Sequence, residues 1–207
     1  VVGAIGYLLM LIGAILVILG RKAFGRTHAR NVVASIVLFI LGIVGLFAAA
    51  IPLGIAMVNV QLNGVQPDSA AQLESGYQTI LVGGVVLSVL LGLASVLFTY
   101  ALQNPMGRIL LWSGYGANVA LNIAIAWILS PLVPGAVQDA LARGVLDPTP
   151  IANLESQQSA LNLLAVLPAL LFAGANYIAW SRIARREIPV LEPAPGAPPT
   201  APPMTPR

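Results

Sequence analysis

Cysteine is absent from the chain, which excludes disulfides, thiolate zinc sites and cysteine-ligated iron–sulfur clusters. Charge is scarce too: 8% of the 207 residues are Asp, Glu, Lys or Arg, against roughly a quarter in a soluble domain. Histidine and lysine occur once each, as His28 and Lys22. A single histidine leaves no intramembrane pair to ligate haem or a catalytic metal. A lone lysine in a basic loop argues against a retinal Schiff base in mid-membrane. No cofactor and no metal are therefore expected.

What fills the chain instead is apolar surface, at 58% of residues. A bilayer core needs about 20 consecutive apolar residues in a helix. Five runs of that kind occur, over residues 1–20, 31–60, 77–102, 109–133 and 160–181, and none holds a charged side chain. The expected fold is an all-α integral membrane bundle of five transmembrane helices, occupying residues 1–187. The second run is too long for one straight span, and Pro52 with Gly54 inside it suggests a kink or an end that emerges into the headgroups. The apolar run starts at Val1, so a short preceding piece is expected to have been trimmed. The first run is long, lacks a basic segment before it and precedes a strongly basic loop. It reads as a retained helix and not as a cleaved signal peptide.

The net charge of +3 and pI near 9.7 come from clustered loop charges, so topology explains the basicity and a nucleic-acid partner is not expected. Arg21, Lys22, Arg26 and Arg30 lie in the first loop, Arg108 in the short turn after the third run, and Arg182, Arg185, Arg186 and Arg207 beyond the fifth. The alternate loops hold Arg143 beside Asp68, Glu74, Asp139, Asp147 and Glu155. The positive-inside rule then puts the protein in the cell membrane with its N-terminus outside and its C-terminal tail in the cytoplasm. Tyr100, Trp112, Tyr177 and Trp180 near the inner ends, and Tyr77 and Trp127 nearer the outer ends, fit interfacial aromatics. The turn from Gln103 to Arg108 is short enough to force the third and fourth helices into an antiparallel hairpin. Residues 188–207 are Pro-rich, with too little apolar surface to fold, and read as a disordered cytoplasmic tail.

Two stretches repeat at offsets of about 80 residues. Gly64-Val65 and Leu73-Glu74-Ser75 reappear as Gly144-Val145 and Leu154-Glu155-Ser156, and Tyr100 falls onto Trp180. One helix followed by two parallel hairpin repeats is the arrangement this suggests.

Proton pumps and ion-coupled carriers place ionisable side chains inside the membrane, and these runs hold none. Their polarity is neutral. Tyr115, Asn118 and Asn122 share one stripe of the fourth helix, which would either line a small polar pathway or hydrogen-bond across helices. Gly84, Ser88, Gly92, Ser95 and Thr99 form a small-residue stripe on the third helix, and Gly6, Gly13 and Gly20 one on the first. Close helix packing is the expected use of both. Glu74 and Glu155 open the third and fifth helices, where the helix dipole favours a carboxylate. The alternative is an outer acidic pair. Arg21, Lys22, Arg26 and Arg30, with His28 among them, either contact anionic lipid or set topology. The segment from Gly135 to Leu146 has helical amphipathic spacing and reads as a surface helix or a partner-binding lid.

The stretch Gly20-Arg-Lys-Ala-Phe-Gly-Arg-Thr-His-Ala-Arg-Asn31, followed directly by an apolar helix, resembles segments of uncharacterised archaeal multi-spanning membrane proteins. The resemblance covers helices one and two and implies a multi-spanning fold, with no activity or site residue to carry over. The function expected is that of a non-enzymatic accessory or scaffold subunit. A passive channel or carrier for a small neutral solute, and a lipid-modifying enzyme, are the alternatives. Expected partners are the lipid bilayer, anionic lipid headgroups, and other membrane proteins or further copies of the chain.

Overall fold

The computed structural model describes residues 15, 18–142 and 146–188. The expected first span, the Pro-rich tail from residue 189 and the Gly144-Val145 half of the repeat lie outside the described residues. Every element within them is helical. A 3-10 turn, Arg21–Phe24, leads through Gly25 into α1 (Arg26–Asn63). α2 (Ser69–Tyr100), α3 (Pro105–Leu129), α4 (Val133–Leu141), α5 (Thr149–Asn162) and α6 (Val166–Ala184) follow.

Four stretches are long and apolar enough to cross a membrane: Arg26–Asn63, Ser69–Tyr100, Pro105–Leu141 and Thr149–Ala184. No more than 28% of the most apolar window of any of them is buried within the protein. Surface of that character needs lipid or another helix against it. The chain is thus a helical bundle with four candidate membrane spans.

α1 runs through Pro52 as one helix of 38 residues, about 57 Å at 1.5 Å per residue. The break expected at Pro52 does not end it, because a membrane helix tolerates a proline where neighbouring groups re-satisfy the freed carbonyl. Gly64, at φ +74°, is where it stops; that backbone region is open to glycine without strain. In the second half of the chain prolines do interrupt the helices. A 3-10 turn at Ser130–Leu132 contains Pro131 and leads to Pro134, and another at Leu163–Ala165 directly precedes the helix carrying Pro168. Each ring lacks an N–H and crowds the carbonyl four residues back. The two proposed repeats therefore differ: the first hairpin has continuous helices, the second has broken ones.

The helices form a row in which α1 packs on α2, α2 on α3, and α3 on α6, while α4 packs on α2 and α5. The register of the first pair follows from small residues. Ser35 Oγ donates to the Ala94 carbonyl at 2.7 Å, Gly42 lies under Leu87 and Leu91, Gly83 meets Ala49, and Gly76 meets the Leu53 backbone. Positions rise along α1 as they fall along α2, so the pair is antiparallel. The expected hairpin of α2 and α3 is present, with Asn104 as its cap: its side-chain oxygen accepts from the Gly107 N–H at 2.8 Å, and Pro105 takes the first helical position. Gly114 sits against Pro168, Leu171 and Phe172 where α3 crosses α6.

The larger core lies at the end of the bundle that holds the acidic residues. Leu53 and Val60 of α1, Leu73 and Tyr77 of α2, Ile125 and Leu129 of α3, Val137 and Leu141 of α4, and Ile151 and Leu154 of α5 are buried together there. A smaller cluster of Val96, Leu111 and Ala175 serves the basic end. α4 thus presents its apolar face to α2 and α5. The amphipathic pattern expected to rest on a membrane surface is matched by the protein's own core. Tyr77, expected at the interface, is 8% exposed and belongs to that core, whereas Trp127 is 80% exposed.

Candidate functional site

At the basic end, three of the four cationic residues singled out from the sequence come together. Arg21, Arg26 and Arg30 line one cavity of about 510 Å³ with Thr27, Ala29 and Val33. Local sequence explains the convergence. Gly25, at φ +90°, turns the chain between the 3-10 turn that carries Arg21 and the first turn of α1. Arg26 and Arg30 are four residues apart on α1, hence on one face. Arg21 is half-buried and anchored by an Nη1 hydrogen bond to the Ile18 carbonyl at 3.1 Å. Among the described residues none of the three makes an ion pair; the salt bridge found there joins Arg182 Nε to Glu187 Oε2 at 3.1 Å. Lys22 is exposed and does not line the cavity. His28 is fully buried instead, edge-on to Phe24 with ring centroids 5.5 Å apart.

Two other arginines of this end are held by the protein, while Arg185 and Arg186 are exposed. Arg108 stacks over the Tyr100 ring, 4.8 Å from its centroid, and Arg182 Nη1 donates to the Leu102 carbonyl at 2.7 Å. Buried Gln103 adds a third tie, its Nε2 donating to the Ala175 carbonyl at 2.9 Å. The Arg182 and Gln103 bonds lash the turn between α2 and α3 to α6, and the Arg108 contact closes the turn on α2.

The intramembrane stripe divides. The Tyr115 ring lies so close to Gly92 of α2 that a Cβ there would sit 2.7 Å from Cδ2, and it also meets Trp112 edge-on at 5.6 Å. Asn122 Nδ2 donates to the Asn118 carbonyl at 2.9 Å, a bond within its own helix. Both asparagines are partly buried. The small-residue stripe is likewise uneven. Gly92 and Ser88 are buried, whereas a Cβ on Gly84 would have nothing within 4 Å.

At the acidic end, Glu74 is half-buried and Glu155 exposed. Neither carboxylate makes a hydrogen bond or ion pair with another described residue, and among the described residues no three His, Cys, Asp or Glu side chains gather as a metal site. Their neighbours Leu73 and Leu154 are both buried in the same core.

No family model, curated protein or solved structure matches the chain. The functional reading therefore rests on the geometry above. Sequence reasoning missed Thr27 and Val33 as lining residues, the Gln103 tie and the contact glycines Gly42, Gly76 and Gly83. For Thr27 and Val33 the signal was available, because they follow Arg26 and Arg30 on helical spacing. Nothing in the sequence separates Gly83 from Gly84.

Proposed function

We propose that the protein is a non-enzymatic multi-pass membrane protein, a scaffold or accessory subunit that acts through contact with partners. The observation that carries this reading is that most of the hydrogen-bonding polar side chains of the apolar helices bond within the protein, the buried Tyr77 hydroxyl and Thr99 Oγ1 being exceptions without a partner among the described residues. Ser35 bonds to α2, Ser88 and Ser95 bond back to carbonyls of their own helix, Asn122 does the same, and Gln78 pairs with Ser130. Such bonds hold helices and satisfy groups that lipid cannot. A solute path or a reaction centre needs polar groups that point at something other than the protein. Exposed aliphatic and aromatic side chains run along the outward face of α1 from Val33 to Leu62, a surface open to a partner helix as well as to lipid.

The same reading retains five spans, the first over residues 1–20, with the N-terminus outside and the tail cytoplasmic. The parallel repeat belongs to it too, supported by the common burial of Leu73 and Leu154. The test is gentle purification into native nanodiscs through a tag on the tail, with the mass of the assembly determined. A stoichiometric foreign subunit is the expected result. A homogeneous assembly of this chain alone that passes a small neutral solute across liposomes would overturn the reading in favour of a channel.

A further inference from the structure

We infer that the cavity formed by Arg21, Arg26 and Arg30 is a discrete site for the phosphate-bearing headgroup of an anionic phospholipid. The positive-inside rule asks only that cations lie on one side of the membrane. It does not ask that three arginines line one cavity, with Arg26 and Arg30 exposed where Arg108 stacks on Tyr100 and Arg182 bonds to the Leu102 carbonyl. The three make no ion pair with another described residue, which leaves them open to an anion. Guanidinium suits phosphate because its planar donors pair with two oxygens at once. Arg21, tethered to the Ile18 carbonyl, is held in place before any ligand arrives, which lowers the cost of ordering it.

A lipid, and not a free anion, follows from the remaining walls. Val33 lines the same cavity and is itself 49% exposed. It begins the apolar face that continues along α1 through Val37, Ile40 and Val44. A headgroup between the arginines would leave its acyl chains lying on that face. The inference depends on the chain lying in a membrane and not on the scaffold reading.

The experiment is native mass spectrometry of the full chain released from nanodiscs that contain phosphatidylglycerol in phosphatidylcholine. The variants are R26Q with R30Q, and R185Q with R186Q as a control that removes equal charge at the same end. Thermal unfolding of each verifies the fold, which exposed Arg26 and Arg30 are not needed to form. Wild type and control should keep one phosphatidylglycerol per chain. The R26Q/R30Q protein should lose retention on the order of tenfold, and inorganic phosphate should fail to compete. Equal retention by the R26Q/R30Q and control variants would overturn the site and leave only diffuse surface charge. Displacement by millimolar inorganic phosphate would overturn the lipid assignment.

Discussion

Gln78 and Ser130 exchange two hydrogen bonds across 52 residues of chain: Gln78 Nε2 donates to the Ser130 carbonyl at 2.9 Å, and Ser130 Oγ donates to Gln78 Oε1 at 2.8 Å. The pair pins α2 to the 3-10 turn where α3 gives way to α4. The Ser130 carbonyl already accepts the Val133 N–H within the 3-10 turn, and the glutamine amide is a second donor to it from another helix.

Gln78→Leu should therefore destabilise the protein by about 1–3 kcal/mol, because it removes both bonds and leaves the Ser130 hydroxyl without its acceptor. Ser130→Ala removes one of the two bonds and should cost less. In the double variant the losses should fall short of their sum, since both act on one contact. Thermal unfolding in a mild detergent measures all three. Additive losses would mean that the two side chains act independently.

Glycines that look alike in the sequence should respond in opposite ways. A Cβ at Gly76 would come 2.7 Å from the Leu53 Cα, where only backbone movement gives relief, and overpacking of that kind costs about 1–3 kcal/mol. Gly84 has open space around it, so Gly84→Ala should be neutral or stabilise by up to about 1 kcal/mol through helix propensity. Comparing unfolding temperatures of the two alanine variants checks the register of α1 against α2.

This contrast marks how far the sequence could be read. The all-helical character and the presence of long apolar helices were legible because lipid demands unbroken apolar length. The α2–α3 hairpin was legible because Asn104-Pro105 is a strong helix start. Arg26 and Arg30 were expected in a loop, whereas α1 begins at Arg26 and sets them one turn apart. Orientation about each helix axis was not legible. In lipid the outward face is as apolar as the packed one, so Val32, which is buried, and Val33, which is exposed, read alike. Tyr77 was assigned to the interface for the same reason: an aromatic near a span end satisfies the rule whether it faces headgroups or a core. The amphipathic segment holding α4 gave the right helix and the wrong neighbour, because periodicity shows that one face is apolar without saying what covers it.

Replacing Asn118 and Asn122 by leucine should leave solute flux in liposomes at the wild-type level. The Asn122 amide is engaged with the Asn118 carbonyl and Tyr115 is packed on Gly92. The loss in stability should be small, about 0.6 kcal/mol for a hydrogen bond of this type in a membrane protein. Flux that is present in the wild type and abolished in the double variant would restore the polar stripe as a pathway.

Gln103 fastens the turn between α2 and α3 to α6 from inside the protein. Gln103→Leu should lower stability by about 1 kcal/mol, and amide exchange at Gly107 and Arg108 should quicken as the turn loosens. Gly107→Ala should produce the same loosening by another route, because a Cβ there would overlap the Gln103 amide oxygen. If exchange stays slow in both variants, the Asn104 cap and the Arg182 and Arg108 contacts hold the turn without Gln103.

The absence of cysteine makes topology directly measurable by single substitutions. Ser75 and Ser156 are exposed at the acidic end, Lys22 and Ala184 at the basic end. Antiparallel packing of α1 on α2 and of α3 on α6 requires Ser75 and Ser156 to share one side of the membrane and Lys22 and Ala184 to share the other, whichever way the bundle faces. The basic loops then decide the direction, because Arg and Lys beside a span are retained in the cytoplasm. A membrane-impermeant maleimide should label S75C and S156C in intact cells, and K22C and A184C only after permeabilisation. The reverse pattern would invert the bundle while keeping its packing. Labelling that separated Ser75 from Ser156 would break the pairing itself, since no orientation of two antiparallel hairpins places those serines on opposite sides.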